Sequence, residues 1–247
     1  MTNMFEKMLI DRLPSYEGEP SGIYEEEWDS LIILDGCRLD LYREVVGECD
    51  KRVSLGSSSP EFVSGNFSDA REESPVCVTA NPYYHPSKFK ELTGNKLENV
   101  FETVFHTYQT DWDDEAGTVR PEEVKRDALT AESLFPDRKK IIHFMQPHYP
   151  FLGSELETSG YSKDLGSEGE DIWDKAFRGE VSREQVWSDY SRNLEIVMEE
   201  VEELVNSLDG RVLITADHGN LVGEGGMYGH PRFCSAKWLR EVPVDRR

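Results

Sequence analysis

The sequence predicts an α/β fold in which helices cover both faces of a mostly parallel central sheet. Short β-rich runs alternate along the chain with segments of helical spacing, and such alternation is typical of parallel sheets because each crossover lays a helix against the sheet. The length of 247 residues suffices for one such domain with a sizeable core. No internal repeat indicates another architecture.

Six short runs have the composition of buried strands, because each is rich in β-branched and aliphatic residues and ends in polar residues or glycine. They lie at 30–36, 52–56, 75–81, 99–105, 140–146 and 211–217. A further segment near the end of the chain, KWLREVPV (237–244), is predicted to form a last strand at an edge of the sheet.

The clearest helix is predicted over 183–208, where apolar residues recur three or four positions apart. Ser182 and Gln185 have the spacing of a capping box at its start, and Gly210 is placed to end it. One domain is predicted over 1–247, with an N-terminal extension over 1–28. An acidic loop or lid is predicted over 153–181, a glycine-rich segment that almost lacks aliphatic residues.

The chain carries 49 acidic and 27 basic residues, which give a formal net charge of −22. Such a charge repels nucleic acid and anionic membranes, so no nucleic-acid partner is expected. The same excess is found in halophilic proteins, whose carboxylate-rich surfaces stay hydrated in high salt, and in ordinary acidic cytosolic proteins.

No apolar run approaches the roughly 20 residues that a membrane span needs. The first residues, MTNMFEKMLIDRLPS, carry charges where a signal peptide is apolar, so a cytoplasmic location is expected. The four cysteines are scattered without a CxxC pair, which predicts reduced thiols rather than a disulfide framework or a cysteine zinc site.

Five acidic and histidine side chains follow predicted strands or lie in the loops beyond them, where ligands bind in open α/β sheets. They are Asp35, His148, Asp217, His218 and His230. A single strand-end Asp usually caps a turn, and a single His usually lies at the surface or in the core. The adjacent Asp217-His218 pair, followed by glycine and by YGHP, favours a metal site. Two carboxylates with three imidazoles suit zinc or manganese better than calcium or magnesium.

Three serines precede a predicted helix start in SSSPEF (57–62). A serine before Pro-Glu is a common helix N-cap. A hydroxyl at that position also faces the positive end of the helix dipole, where a phosphate or sulfate binds, and a metal would activate it as a nucleophile. The residues alone leave open which of Ser57, Ser58 and Ser59 attacks.

Four further candidate side chains lie near the strand ends, and three of them allow two interpretations each. Arg38 either holds a phosphoryl oxygen or pairs with an acid such as Asp40. Cys37 is either a rival nucleophile or a buried core thiol. Asn81 either donates to an ester oxygen or caps the turn that follows it, and Gln146 is a candidate substrate contact at the end of its strand.

Four segments together resemble, in order, the motifs of the alkaline phosphatase and sulfatase superfamily. They are ILDGCRLDLY (33–42), SSSPEF (57–62), HFMQPHYPF (143–151) and ITADHGNLVGEGGMYGHP (214–231). The resemblance implies an alkaline phosphatase-like catalytic domain, and the acidic composition suggests a halophilic archaeal type. Because the superfamily's nucleophile lies two residues before a proline, it implies Ser58 as nucleophile, with Ser59 and Ser57 open.

The resemblance also implies a ligand set for the metal. It consists of Asp35, the loop serine Ser58, Asp217 and His218. His148 and His230 then line the substrate or hold a second metal.

Departures from the superfamily pattern favour some activities of the superfamily over others. Phe62 stands where formylglycine sulfatases have Arg, and serine stands where they have the modified cysteine, which favours phosphate over sulfate esters. Gln146 replaces an Asp that binds a second metal in many relatives, so one tight site and a weaker or absent second site are expected. Gly36 replaces a second Asp, and Asn220 replaces the usual Glu.

The leading hypothesis is a metal-dependent hydrolase of phosphate esters that forms a covalent serine intermediate, with His148 or His230 positioning the ester or the attacking water. Its substrate would be a small-molecule or glycan ester. One alternative is a transferase that passes the phospho group to an alcohol of a glycan or lipid head group. Another is a non-catalytic anion-binding or glycan-binding domain of the same fold. The sequence does not indicate an oligomeric state.

Overall fold

A seven-stranded sheet forms the centre of the computed structural model, which describes residues 9–10, 12–69, 73–156 and 171–247. Its strands are β1 (Ser30–Asp35), β2 (Asp50–Val53), β3 (Val76–Thr79), β4 (Thr103–His106), β7 (Lys140–Pro147), β8 (Val212–Ala216) and β11 (Glu241–Arg246). Two small hairpins pair β5 (Trp112–Asp113) with β6 (Thr118–Val119) and β9 (Leu221–Val222) with β10 (Tyr228–Gly229). The order in the main sheet is β2-β11-β8-β1-β7-β3-β4. Strands β8, β1, β7, β3 and β4 are mutually parallel, so the predicted mostly parallel α/β sheet is confirmed.

Helices connect most of these strands. The α-helices are α1 (Leu39–Val45), α2 (Ser59–Phe67), α3 (Pro86–Thr93), α4 (Thr107–Thr110), α5 (Pro121–Leu134), α6 (Ile172–Phe177), α7 (Arg183–Val205) and α8 (Lys237–Arg240). Short 3-10 helices lie at Ile23–Glu25, Pro82–Tyr84, Leu97–Asn99 and Glu224–Gly226. Among the helices that the structure describes, none combines the length and apolar character needed to cross a membrane.

Alternating side chains of the central strand β1 pack into two separate apolar clusters. Ile32 and Leu34 join the cluster that includes side chains of α1, α5 and α7, whereas Leu31 and Ile33 join the one that includes α2 and α3. Because successive side chains of a strand point to opposite faces, the two clusters lie on opposite faces of the sheet. The prediction of helices on both faces is therefore confirmed.

The longest helix, α7, confirms the predicted capping box. Ser182 Oγ accepts a hydrogen bond from the backbone nitrogen of Gln185 at 3.2 Å, and Gln185 Oε1 accepts one from the Ser182 nitrogen at 3.0 Å. The helix ends at Val205, before the predicted end at 208. Gly210 has φ +85° and lies in the turn that leads into β8, so it does not itself terminate the helix.

The sequence prediction for the last strand was wrong in its position. Lys237–Arg240 is the short helix α8, and only the residues from Glu241 onward form β11. This strand is antiparallel to both of its neighbours, β2 and β8, and lies between them. It therefore fills the interior of the sheet, and β2 is the edge strand.

Other predicted segment boundaries differ from those in the structure by a few residues. The strand expected over 99–105 begins only at Thr103, because a 3-10 helix occupies Leu97–Asn99. Within the acidic segment 153–181, Ile172–Phe177 is helical and packs against the apolar core, while 157–170 lies outside the described residues. In the 1–28 extension, residues 9–10 and 12–28 are described, and Ile23 and Trp28 are buried in the core. None of the four cysteines forms a disulfide, as expected for reduced thiols.

Candidate metal centre

Adjacent parallel strands bring the strand-end acids together. Leu34 of β1 pairs with Ala216 of β8, so the residues that follow them stand side by side at the carboxyl edge of the sheet. Ligand atoms of Asp35, Asp217 and His218 all lie within 4.8 Å of one another, and all three residues are buried. His218 Nε2 lies 3.7 Å from Asp35 Oδ1 and 3.5 Å from Asp217 Oδ2. The structure thus assembles the three residues expected to form the core of the metal site.

Asp217 is held by backbone donors on one side only. Its Oδ1 accepts hydrogen bonds from the backbone nitrogens of Gly36 and His218, both at 2.9 Å. Its Oδ2 is buried and has no hydrogen-bond partner among the described residues. A buried carboxylate oxygen without a partner is costly, and a bound cation would remove that cost.

Two glycines allow the backbone to pass close to this cluster. Gly36 has φ +65°, and a Cβ there would lie 2.7 Å from Asn220 Nδ2. A Cβ on Gly219 would lie 2.1 Å from the carbonyl oxygen of Trp238. Both positions therefore exclude larger residues, which explains why glycines follow Asp35 and His218.

Of the three serines, only Ser59 reaches the cluster. Its Oγ lies 3.3 Å from Asp35 Oδ2, to which it donates, and 3.3 Å from His218 Nε2. Ser58, the serine favoured by the resemblance, instead donates to Glu61 Oε1 at 3.1 Å. Ser57 Oγ donates to the Pro231 carbonyl at 2.9 Å. The reason is helical phase: α2 begins at Ser59, and Ser58 precedes it in extended conformation, so the two side chains point in different directions.

His143 also lies in the site, although it is not among the residues predicted from the sequence. Its fully buried ring places Nε2 3.6 Å from Asp35 Oδ2 and 3.8 Å from Asp217 Oδ2. Nε2 has no hydrogen-bond partner among the described residues, whereas Nδ1 lies 3.2 Å from the Tyr84 hydroxyl. The one signal in the sequence was a histidine inside the otherwise apolar strand KIIHFM.

Asn81 supports the site from the neighbouring strand β3. Its Nδ2 donates to Asp35 Oδ2 at 2.7 Å, and its Oδ1 accepts from the Tyr83 nitrogen at 2.9 Å. The capping interpretation is therefore confirmed. The amide nitrogen is directed to the carboxylate of Asp35, and a contact of Asn81 with an ester oxygen stays a prediction.

The surroundings of Asp35 favour its ionised form. Burial raises the pKa of this carboxyl group, but the interactions with the rings of His143, His148 and His218 outweigh burial. The net effect holds the pKa of Asp35 well below its usual range.

Three histidine rings lie close to one another near the acids of the cluster. The ring centroids of His218 and His230 are 4.6 Å apart, those of His148 and His230 are 4.9 Å apart, and those of His148 and His218 are 6.2 Å apart. Nδ1 of His218 lies 2.8 Å from the Gly219 carbonyl, and Nδ1 of His148 lies 2.7 Å from the Tyr149 carbonyl. Since a carbonyl oxygen only accepts, these Nδ1 atoms carry hydrogens, and each neutral ring keeps its lone pair on Nε2.

Arg38 does not face the cluster as a free cation. Its Nη2 lies 2.6 Å from Asp40 Oδ2, and its Nη1 lies 2.9 Å from Glu224 Oε1 and 3.1 Å from the Asn220 carbonyl. The structure therefore favours the ion-pair interpretation over the phosphoryl-binding one, because the guanidinium donors are committed to these acceptors.

Two further candidates also point away from catalysis. Gln146 is fully buried, and its Nε2 donates to the Val119 carbonyl at 2.9 Å, which directs the amide nitrogen to β6. Cys37 is fully buried, and burial raises the pKa of its thiol well above the usual value. An activated thiolate needs a lowered pKa, so the core interpretation of Cys37 is favoured.

The residues present fit a divalent metal. Asp217 Oδ2 and His143 Nε2 are buried beside each other without hydrogen-bond partners among the described residues. A donor set of two carboxylates and imidazole nitrogens suits zinc or manganese. The cluster of Asp35, Asp217 and His218 is therefore a candidate metal centre, with Ser59 and His143 at its border.

Solved structures share this fold. Lipooligosaccharide phosphoethanolamine transferase A from Neisseria meningitidis, an integral membrane protein, matches with a TM-score of 0.57 and 13% identity over 87% of this chain and 46% of that one. The chain thus spans about half the length of that protein. The separate soluble domain of the same transferase matches with a TM-score of 0.58 and 14% identity, over 87% of this chain and 74% of that domain.

A third structure was solved with zinc. The C-terminal periplasmic domain of EcEptC from Escherichia coli, in complex with zinc, matches with a TM-score of 0.51 and 11% identity, over 87% of this chain and 71% of that one. This chain shares the fold of these three solved structures, and the resemblance seen in the sequence motifs is confirmed at the level of the fold. No protein-family model and no curated protein matches its sequence.

Proposed function

We propose that this alkaline phosphatase-like chain is a metal-dependent enzyme that cleaves phosphate esters through a covalent intermediate on Ser59. The observation that carries the proposal is the position of Ser59 Oγ, 3.3 Å from both Asp35 Oδ2 and His218 Nε2, inside the candidate metal centre. Ser59 also opens α2, and the N-terminus of a helix favours a bound phosphate.

Asp35, Asp217 and His218 would hold the metal, with His143 as a further ligand. A bound divalent metal supplies positive charge that lowers the pKa of a nearby hydroxyl and offsets the negative charge of the phosphoryl group. Asn81 keeps Asp35 oriented through the 2.7 Å hydrogen bond. The glycines after Asp35 and His218 keep the backbone close to the cluster.

The reaction has two steps in this scheme. In the first, Ser59 Oγ loses its proton and forms a bond to phosphorus, the ester P–O bond breaks, and the leaving oxygen takes up a proton. In the second, an acceptor hydroxyl loses its proton and attacks the phosphorus, the bond between phosphorus and Ser59 Oγ breaks, and Ser59 Oγ takes up a proton. His148 and His230 lie beside His218, and one of these two rings would accept the proton of the acceptor.

The acceptor decides between two enzyme classes. Water makes the enzyme a hydrolase, which is the hypothesis formed from the sequence. An alcohol makes it a transferase, and the likeness in fold to phosphoethanolamine transferases favours this second candidate, with a glycan or lipid head group as acceptor. A non-catalytic binding domain is disfavoured because both the acids and the hydroxyl are in place.

The test is to load metal-free protein with zinc or manganese and measure the hydrolysis of p-nitrophenyl phosphate, bis-p-nitrophenyl phosphate and p-nitrophenyl sulfate. We expect a phosphate ester to be cleaved, and mass spectrometry of acid-quenched enzyme to find phosphate on Ser59. Adding ethanolamine or glycerol separates the classes, because a transferase forms the phosphorylated alcohol at the expense of free phosphate. Failure to cleave any ester with either metal would contradict the proposal.

Other features predicted from the sequence remain predictions. These are the cytoplasmic location, the halophilic character, the choice of zinc or manganese, and the single-domain organisation with its acidic lid.

A further inference from the structure

Phe233 combines an unfavourable backbone with an exposed aromatic side chain. Its φ of +57° is the only positive value for a non-glycine residue among the described residues, and bulky side chains rarely adopt this region. Its ring is 88% exposed. Neither the conformation nor the exposure stabilises the chain, so the surrounding structure must impose them.

Hydrogen bonds to α2 and the loop before it fix the conformation of Phe233. The Phe233 nitrogen donates to Glu61 Oε1 at 2.9 Å, and the Cys234 nitrogen donates to Ser57 Oγ at 3.1 Å. Ser57 Oγ in turn donates to the Pro231 carbonyl at 2.9 Å. Residues 231–233, which we term the rim segment, are thus attached on both sides to the start of the helix that carries Ser59.

The rim segment borders the candidate metal centre. It follows His230 directly in the chain, and the His230 ring centroid is 4.6 Å from that of His218. Glu61, which accepts from Phe233, lies two residues after Ser59. The exposed Phe233 therefore lies on a segment that is attached both to His230 and to the helix that carries Ser59.

Arg232 adds a cation at the same place. Its side chain is exposed, and none of the ion pairs between residues 12–69, 73–156 and 171–247 involves it. On a protein with a net charge of −22, this cation, two residues after His230, locally favours the approach of an anion.

We propose that the rim segment is a substrate-binding platform that selects the leaving group. Arg232 attracts the anionic phosphoryl group, and the Phe233 ring stacks on a flat, C–H-rich face of the leaving group, such as an aryl ring or one face of a sugar. The choice of ligand rests on the proposed function, because a phosphate ester is taken as the substrate.

The experiment measures binding, so that it does not depend on turnover. The dissociation constants of phenylphosphonate, a sugar phosphonate and methylphosphonate are determined by calorimetry with the zinc-loaded protein. The variants are Phe233→Asn, Arg232→Gln and the control Leu134→Asn. Asparagine tolerates positive φ, so the first variant removes the ring without distorting the backbone. Leu134 is 62% exposed at the end of α5, which leads into the amino end of β7, away from the site.

We expect the wild type to bind phenylphosphonate or the sugar phosphonate about five- to tenfold more tightly than methylphosphonate, and Phe233→Asn to abolish this preference. Whichever of the two ligands is preferred identifies the kind of leaving group. Arg232→Gln should weaken all three about three- to fivefold, and Leu134→Asn should change none.

The experiments distinguish a failure of the proposed platform from a failure of the proposed enzymatic function. An unchanged preference in Phe233→Asn, or a wild type that binds none of the phosphonates, overturns the platform even if esters are cleaved. A preference that disappears in Phe233→Asn supports the platform even if no ester is cleaved, in which case only the proposed enzymatic function fails.

Discussion

Asn220 Oδ1 lies 2.9 Å from Nδ1 of His230, and this contact fixes how the histidine presents its other nitrogen. The Asn220 amide cannot be reversed, because its Nδ2 donates to the Gly36 carbonyl at 3.0 Å and a carbonyl only accepts. Nδ1 of His230 therefore carries the hydrogen, and Nε2 of the neutral ring keeps its lone pair. His230 thus shares the tautomer of His148 and His218, so the three rings offer the same type of atom for a metal or a proton.

Replacing Asn220 with leucine should allow His230 to adopt the other neutral tautomer. In Asn220→Leu the acceptor is lost, and we expect a substantial population of His230 with its hydrogen on Nε2. Long-range ¹H–¹⁵N NMR of histidine-labelled, metal-free protein at pH 8, where an ordinary histidine is neutral, reads the tautomer directly. Asn99→Leu, at an exposed position, is the matched control. An unchanged His230 spectrum in Asn220→Leu would show that Asn220 does not set the tautomer.

The neighbouring serines should differ sharply in their effect on turnover. Ser59→Ala removes the hydroxyl between Asp35 and His218, and we expect kcat for p-nitrophenyl phosphate to fall about 10³-fold or more, as for other nucleophiles. Ser58→Ala removes only a hydrogen bond to Glu61, which costs about 1 kcal/mol of stability. Measurements of kcat and of the unfolding midpoint for each variant test these two expectations. Equal losses of kcat in the two variants would contradict the assignment.

Metal binding should stabilise the fold through Asp217. At a zinc concentration about 100 times Kd, a ligand that binds only the folded state adds about 2.7 kcal/mol, which raises Tm by about 5–10 °C in a chain of this size. Asp217→Asn keeps the acceptor for the Gly36 and His218 nitrogens but replaces the unpartnered Oδ2 with a donor. We expect Asp217→Asn to lose the zinc-dependent rise in Tm.

The control for that experiment is Asp209→Asn, which removes an equal charge at an exposed position. Thermal unfolding of metal-free protein, with and without added zinc, gives the shift for each variant. A zinc-dependent rise in Asp217→Asn equal to that of the wild type would exclude Asp217 as a ligand.

The acids of the site were predictable because they depend on a general property of parallel sheets. Asp35 and Asp217 each follow a run typical of a buried strand, and the carboxyl ends of neighbouring parallel strands share one edge. The choice between Ser58 and Ser59 was not predictable in this way. It depends on the residue at which α2 begins, and a shift of one position rotates a helical side chain by about 100°.

His143 and Glu224 required the tertiary structure for a different reason. His143 lies within β7, where its neighbours are apolar, and only the pairing of β7 with β1 brings it to Asp35. Glu224 meets Arg38 across 186 positions of the chain. Local periodicity carries no information about contacts at that separation. The acid close in sequence, Asp40, was therefore the partner of Arg38 that could be anticipated.

The final prediction concerns whether Arg38 serves the fold or the phosphoryl group. Its side chain is 2% exposed and that of Glu224 is 7% exposed, so Arg38→Met leaves a buried acid whose remaining contacts are the Val222 nitrogen at 2.6 Å and Arg183 at 3.3 Å. We expect a loss of about 3–5 kcal/mol in the free energy of unfolding, as is usual when one partner of a buried pair is removed. Arg211→Met, which breaks exposed ion pairs with Glu27 and Asp29, should cost at most about 1 kcal/mol.

A double variant distinguishes the two roles of Arg38. Replacing both partners of a buried pair with apolar residues is often neutral, so Arg38→Met combined with Glu224→Met should recover most of the lost stability. If Arg38 serves only the fold, the double variant also recovers ester cleavage. Denaturant titration and kcat/KM for p-nitrophenyl phosphate measure the two effects. A double variant that is stable but does not cleave the ester would contradict a purely structural role. The guanidinium of Arg38 would then be needed for catalysis as well as for its ion pairs.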